Sequence, residues 1–342
     1  MKELIKKLVE VSSPSGREDS IRETIINELE GYVDEYRVDA IGNLIVRKAG
    51  SAENPKKILL DGHADEIGVV ITNIDKDGFL RIDPVGGVNP LMLLGAVMRF
   101  RSKSDGSVIR GIVSFESETA RDLQNNYKNP SFDNLFLDIG ATSKPDAQEK
   151  VSIGQFGTYD AGFIDQGKRL ISKAMDDRIA CAIIVQLFRI IENPVNDLYG
   201  VFSVQEEVGI VGASVAGYDI MPDMAIAIDV TGNSDTPKGF KRMDLQLGKG
   251  PAIKIKDRAS ISDRKVVDAL MEAAGENNIP YQPEVLIFGG TNAHGYQLTR
   301  SGIPSGTLSI VSRYVHSPHE MVDYDDVINA VELLKRVVEK KS

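Results

Sequence analysis

Two acidic doublets, Asp176-Asp177 in KAMDDR and Glu206-Glu207 in VQEEVG, lie between His63 in DGHADEIG and His316 in YVHSPHE. With Asp229 in IAIDVT they supply the donor set that a pair of divalent metal ions needs. Gathering so many carboxylates without cations is strongly repulsive, because each loses water and gains like-charged neighbours. Bound metals would remove that conflict.

Each motif also has a plainer reading. A His two residues before an Asp suits a metal ligand: the neutral imidazole binds through one nitrogen while a carboxylate or carbonyl holds the other. Asp65 is the candidate orienter of His63, although the same spacing also describes an ordinary hydrogen bond. Adjacent carboxylates at a strand end point in different directions, so one of Glu206 and Glu207 can bind metal while the other faces the nucleophilic water. An isolated Glu-Glu is more often a solvated acidic turn. Here Gly209, Gly212 and Ala213 point instead to a tight loop and a close helix start. Asp176 opens a helix-like run and reads equally well as its N-cap. Asp229 ends an apolar strand, where a charge needs a partner.

These residues need elements to position them. Lys57 to Leu60, Val201 to Val204, Met224 to Ile228 and Thr307 to Val311 are apolar runs of strand length, and each delivers one of the motifs at or beyond its C-terminal end. Open α/β sheets bind ligands outside the carboxyl ends of their strands, so the motifs can converge. Ser15 with Glu18 resembles a capping box opening a helix through Ile21, Ile25, Ile26 and Leu29. Longer helices are expected over 177–191, 263–276 and 324–340 from apolar residues at helical spacing. Between Val69 and Gly157, β-branched residues alternate with turn signals such as Asp77-Gly78 and Asp105-Gly106, and helical periodicity is scarce. The chain therefore reads as α/β, with a small β-rich domain (69–157) inserted into a discontinuous catalytic domain (1–68 and 158–342).

Composition narrows the partners. The 342 residues carry a formal net charge of −10, which argues against nucleic acid and anionic membrane surfaces. Lys6 and Lys7 interrupt any secretory apolar stretch, and the longest apolar run, Pro90 to Val97, is too short to cross a bilayer. A lone Cys181 forms no internal disulfide and fits a reducing cytoplasm. Its apolar helical surroundings point to packing, not catalysis.

In order and spacing, DGHADEIG, KAMDDR, QEEVGIVGA, IDVT and YVHSPHE resemble the binuclear-metal aminopeptidase family that includes tetrahedral and glutamyl aminopeptidases. The resemblance spans essentially the whole chain, β-rich insertion included. It implies a mixed-sheet α/β catalytic domain of the zinc-aminopeptidase type. It further implies that Asp176 bridges two ions, with His63 and Asp229 completing one site and Glu207 and His316 the other. Glu206 would be the general base, acting on a metal-bridging hydroxide, and Asp65 the partner of His63. Three carboxylates and a hydroxide would balance two dications. The ions are expected to be zinc, with cobalt or manganese also suited to these donors. Peptides would be the substrates, cleaved at the N-terminal residue. The insertion would build dimers and then a hollow dodecamer. Two departures from the family pattern stand out: Asn292 where an Asp is common, at the expected border of the pocket, and Ala180-Cys181 where a Gly is usual. His294 suits a polar or loop role, His319 an exposed turn, and Arg178 a structural carboxylate partner.

Two other functions compete. Paired carboxylates also cleave sugars, and some relatives carry an endoglucanase label. Such enzymes usually need no metal, and a chain with no Trp offers poor material for stacking sugars. The other is a noncatalytic binding protein on the same fold, which the retention of Glu206 and every expected ligand argues against.

Overall fold

The computed structural model describes residues 1–340. Its centre is four parallel strands in the order Asp197–Ser203, Lys57–His63, Met224–Thr231 and Ser305–Arg313. Nearly every residue in them is buried. Strands covered on both faces cannot alternate polar with apolar, which is why they read as continuous apolar runs. Antiparallel strands extend the sheet on both sides: Leu44–Lys48 and Glu35–Val38 at one edge, then Glu320–Asp323, Arg169–Ser172 and Ile164–Gln166 at the other. Ala252–Lys256 and Gln282–Val285 branch from Ser305–Arg313, giving eleven strands among the described residues. The fold is α/β with a mixed sheet.

Helix Met175–Ile190 packs between this sheet and the outer helices Lys2–Glu10, Asp19–Leu29 and Tyr324–Glu339. It is buried almost all round, so its sequence lacks a polar face. It also lies very close to the central strand. A Cβ built on Gly62 would sit 2.6 Å from the Cβ of Ala180, so the strand needs a glycine there for the helix to pack this close. Cys181 is fully buried beside it, with Sγ 3.3 Å from the His63 carbonyl.

Strands Gly68–Ile74, Leu80–Val85, Leu135–Asp138, Val108–Phe115, Val97–Arg101 and Phe156–Tyr159 close into a barrel. Its core, which includes Val69, Leu80, Phe100, Val113 and Leu137, is separate from that of the large sheet. Closure leaves no unpaired strand edge. The same stretch also holds helices Pro90–Leu93, Ala120–Lys128 and Lys144–Lys150, which the sequence does not announce. Ala120–Lys128 buries no residue, so it has no apolar stripe to read; a Thr119–Asp122 capping box starts it instead.

Two expected caps are absent. Helix Asp19–Leu29 is not capped by the expected pair, because Ser15 Oγ donates to Asp65 Oδ2 (2.5 Å) and Glu18 Oε1 accepts from the backbone of Gly16 and Gln205; Ser13 Oγ accepts the first-turn Ile21 amide instead. Asp176 is no N-cap either. Ala174 holds that position, and Asp176 and Asp177 have non-helical backbone angles that turn both carboxylates away from the helix. Among the described residues no helix is long and apolar enough to cross a membrane.

Candidate metal centre

The carboxyl ends of the parallel strands bring the motifs together. His63 ends its strand in register with Ser203, and Glu206 and Glu207 follow Ser203 in the adjacent loop. Asp229 lies near the end of Met224–Thr231, and His316 sits just beyond Ser305–Arg313. Asp65 ties two of these pieces together. Its Oδ1 accepts the Glu206 amide (3.1 Å) and lies 3.4 Å from His63 Nδ1, while Oδ2 accepts the Glu207 amide (3.2 Å). The Asp65 carbonyl is also 3.2 Å from His63 Nδ1. One buried side chain thus orients the imidazole and the acidic doublet.

Asp176 lies between two histidines from distant parts of the chain. Its Oδ1 is 3.0 Å from His63 Nε2, and its Oδ2 is 3.2 Å from His316 Nε2. His316 Nε2 is also 3.4 Å from Glu207 Oε2, and His63 Nε2 is 3.9 Å from Glu206 Oε2. The opposite nitrogen of His316 faces the Gly87 carbonyl at 3.0 Å. Glu320 holds the far side, accepting the Asp176 amide (2.8 Å) and the His316 amide (2.7 Å). Two groups result whose donor atoms lie within 4.8 Å of one another: His63, Asp177 and Asp229, and His63, Asp176 and Glu207.

The charges are out of balance: five carboxylates, from Asp176, Asp177, Glu206, Glu207 and Asp229, face two imidazoles. Burial raises the pKa of Asp177 and Glu206 well above the usual carboxylate range, helped by the charge of Asp229. Burial likewise raises Glu207, and pushes Asp229 up to about 7 with the charge of Asp176 adding to it. For the histidines burial works the other way and is outweighed. Hydrogen bonds to Asp176 and Asp65 raise His63 well above its ordinary value, and those to Asp176 and Glu207 raise His316 to about 12. Burial would also raise Asp176, but its bonds to His316 and His63 hold it below the usual range.

Asp177 Oδ1 and Glu207 Oε1 are buried with no hydrogen-bond partner. An anionic oxygen stripped of water and left without a donor is costly, and a cation satisfies it directly. Imidazole and carboxylate donors suit a divalent ion of the zinc, cobalt or manganese kind. The residues present fit such a group.

Three participants are not evident from the sequence. Asp177 belongs to a recognised doublet, yet only the fold shows its carboxylate beside Asp229. Glu320 closes the YVHSPHE motif, where spacing gives no hint that it accepts two backbone amides. Gly87 contributes a carbonyl, which no residue type signals. Asn292, expected at the pocket border, is instead buried and donates to Asp61 Oδ1 and Ser203 Oγ, both at 2.7 Å. His319 is exposed and His294 partly buried, and neither belongs to the clustered donors. Arg178 pairs with buried Glu66 at 3.4 Å.

The sequence model of M42 glutamyl aminopeptidases matches residues 42–333. The chain belongs to the M42 glutamyl aminopeptidase family. A 43% identical relative from Acetivibrio thermocellus aligns over 99% of this chain and 98% of its own length. Among solved structures, aminopeptidase APDkam598 of the archaeon Desulfurococcus kamchatkensis superposes with a TM-score of 0.94 at 38% identity, covering 99% of this chain and 94% of that one. The TET1 peptidase of Pyrococcus horikoshii, described as assembling into a tetrahedron or a large octahedral shell, gives 0.88 at 30% identity over 99% of both chains. A Thermotoga maritima protein named an endoglucanase gives 0.81 at 31%, over 98% of this chain and 96% of that one. Like its M42 relatives, this chain is a metal-dependent aminopeptidase, a hydrolase.

Proposed function

We propose that the chain removes N-terminal residues from peptides with the help of two divalent ions, for both of which the carboxylate of Asp176 would be a ligand. His63 and Asp229 would complete one ion's ligands and Glu207 and His316 the other's, with Asp177 beside the first. The observation that carries this reading is the posture of Asp176, whose two oxygens face two imidazoles at 3.0 and 3.2 Å. When bound, divalent ions supply Lewis acidity toward water and toward the scissile carbonyl. Zinc is the expected ion, with cobalt or manganese as alternatives.

The chain's own residues do the rest. Glu206 is the general base: largely buried, with Oε2 3.9 Å from His63 Nε2 at the cluster, its carboxylate can take a proton from water and deliver it to the leaving amine. Asp65 fixes its backbone and the tautomer of His63. The surplus of carboxylates favours a substrate's free α-ammonium, which restricts cleavage to chain ends. A cleft of about 520 Å³ opens against His316 and is lined by Leu91, Met92, Tyr314 and Met321, apolar material for a substrate side chain.

The barrel, over residues 69–157, is proposed as an inserted oligomerisation domain within a catalytic domain of residues 1–68 and 158–342. By extension from the assembling TET1 peptidase, this chain is a homo-oligomer that builds from dimers to a dodecamer, and a cytoplasmic location fits its lone unpaired cysteine. Light scattering on the purified protein tests the assembly. The sugar-hydrolase reading leaves His63 and His316 without roles and is not adopted.

Glu206→Gln tests the mechanism. It should keep its metal, measured by elemental analysis, while kcat on aminoacyl substrates falls about 100- to 10,000-fold. Turnover at the wild-type rate would refute the assigned base.

A further inference from the structure

Away from the metal cluster, a cavity of about 560 Å³ opens between the segment leading into helix Asp19–Leu29 and the barrel. Three arginines line it, Arg17, Arg99 and Arg101, against a single carboxylate, Asp19. In a chain of net charge −10, a local positive excess needs a reason.

The ion pairs sharpen the imbalance. Asp19 is engaged by Arg22, and Arg99 is held by Asp160 at 3.7 Å and by the Glu10 carbonyl. Arg17 and Arg101 have no carboxylate within ion-pair distance among the described residues. Arg17 instead lies over the ring of Phe156, 4.6 Å from its centre. That contact holds the guanidinium at the cavity wall, where Nη1 donates to the Gly16 carbonyl and the remaining N–H groups have no carboxylate partner. Phe156 and Val108 add apolar surface to the same space. The site is separate from the catalytic one: none of the clustered metal-type donors lines it, and its Ser12 is tied through Oγ to Thr158 Oγ1 at 2.6 Å.

We propose that this cavity binds a small organic carboxylate, with Arg17 and Arg101 holding the carboxylate group and Phe156 and Val108 taking the apolar part. A guanidinium offers the paired N–H donors that a carboxylate accepts, two such groups line this cavity, and the ring favours a ligand with an apolar body over a bare ion. A peptide's C-terminal end has this chemistry, whether it comes from an uncleaved peptide or a released product.

The probe is an N-acetylated Phe-Gly dipeptide, which lacks the free amine needed for cleavage. Titrated calorimetrically into the full-length Glu206→Gln protein, the free acid should bind at least about tenfold more tightly than its C-terminal amide, since the amide forfeits the charge-assisted contacts. The exposed double variant Arg17→Gln/Arg101→Gln should lose that preference while keeping its melting temperature and metal content. Inorganic phosphate should compete weakly. Equal affinity for acid and amide, an unchanged preference in the double variant, or phosphate matching the dipeptide would each overturn the proposal. Because binding is read without turnover, none of these outcomes depends on the assigned catalytic roles.

Discussion

Two buried charge clusters lie on either side of Asp65, and they are built on opposite principles. In one, Glu66 is closed in by Lys173 Nζ (2.7 Å), Arg178 (3.4 Å) and the Ser13 amide (2.9 Å). The two cations also donate to main-chain carbonyls of Leu8, Val11 and Ser13, leaving Arg178 Nε as the one donor of the pair that lacks a partner. In the other, carboxylates outnumber imidazoles and two buried oxygens have no donor. The first cluster fastens the N-terminal segment to helix Met175–Ile190. The second has the donors that a bound cation would satisfy. Where burial strains the closed cluster it strains a cation, lowering Lys173 to about 8; in the open one it strains the anions. In these two clusters the strained charge therefore has opposite sign.

The comparison can be broken most forcefully at Lys173. Lys173→Met leaves Glu66 with one cation fewer, and losing a partner from a buried ion pair costs about 3–5 kcal/mol. Denaturant unfolding should show that loss with or without metal. The mirror change, Asp229→Asn, should have the opposite sign in metal-free protein at pH 8: a stability gain on the order of 1–3 kcal/mol, because a carboxyl titrating at about 7 is charged there against its environment. If both variants lose stability in the metal-free state, the contrast fails.

Gly62→Ala probes the packing that presents His63. The added methyl would meet Ala180 at 2.6 Å, and overpacking of this kind costs about 1–3 kcal/mol. Metal content should fall with stability, because His63 is the next residue. An unchanged melting temperature would show that the helix can give way.

The pH dependence of the metal-free protein sharpens the contrast without any substitution. Folded Asp229 holds its proton up to about 7, whereas an unfolded Asp releases it near 4. Between those values the folded state binds more protons, so stability falls as pH rises. His63 and His316, both raised, act in the same direction above the ordinary His value near 6.5. Thermal unfolding from pH 5 to 8 should decline without metal and flatten when metal is added.

How much of this the sequence discloses depends on where the signal resides. Asp229, Glu206 and Glu207 stand out because each follows an apolar run, and a charge leaving a buried strand is conspicuous. His63 and Asp65 share one short motif. Glu320 is less visible because its work is to accept the Asp176 and His316 amides, and any acidic residue at a strand start looks the same. Ser15 and Glu18 have the spacing of a helix cap, but tertiary partners, Asp65 and the Gln205 amide, claim both side chains. The short barrel helices escape notice because they bury little, and periodicity reports only burial.

Metal stoichiometry measured side by side in the wild-type protein and Asp176→Asn tests the sharing of that carboxylate most directly. Elemental analysis after zinc loading and desalting should find two ions per wild-type chain and neither in the variant, since one side chain serves both positions. A variant that keeps one tightly bound ion, or a wild-type protein that binds none, would contradict it.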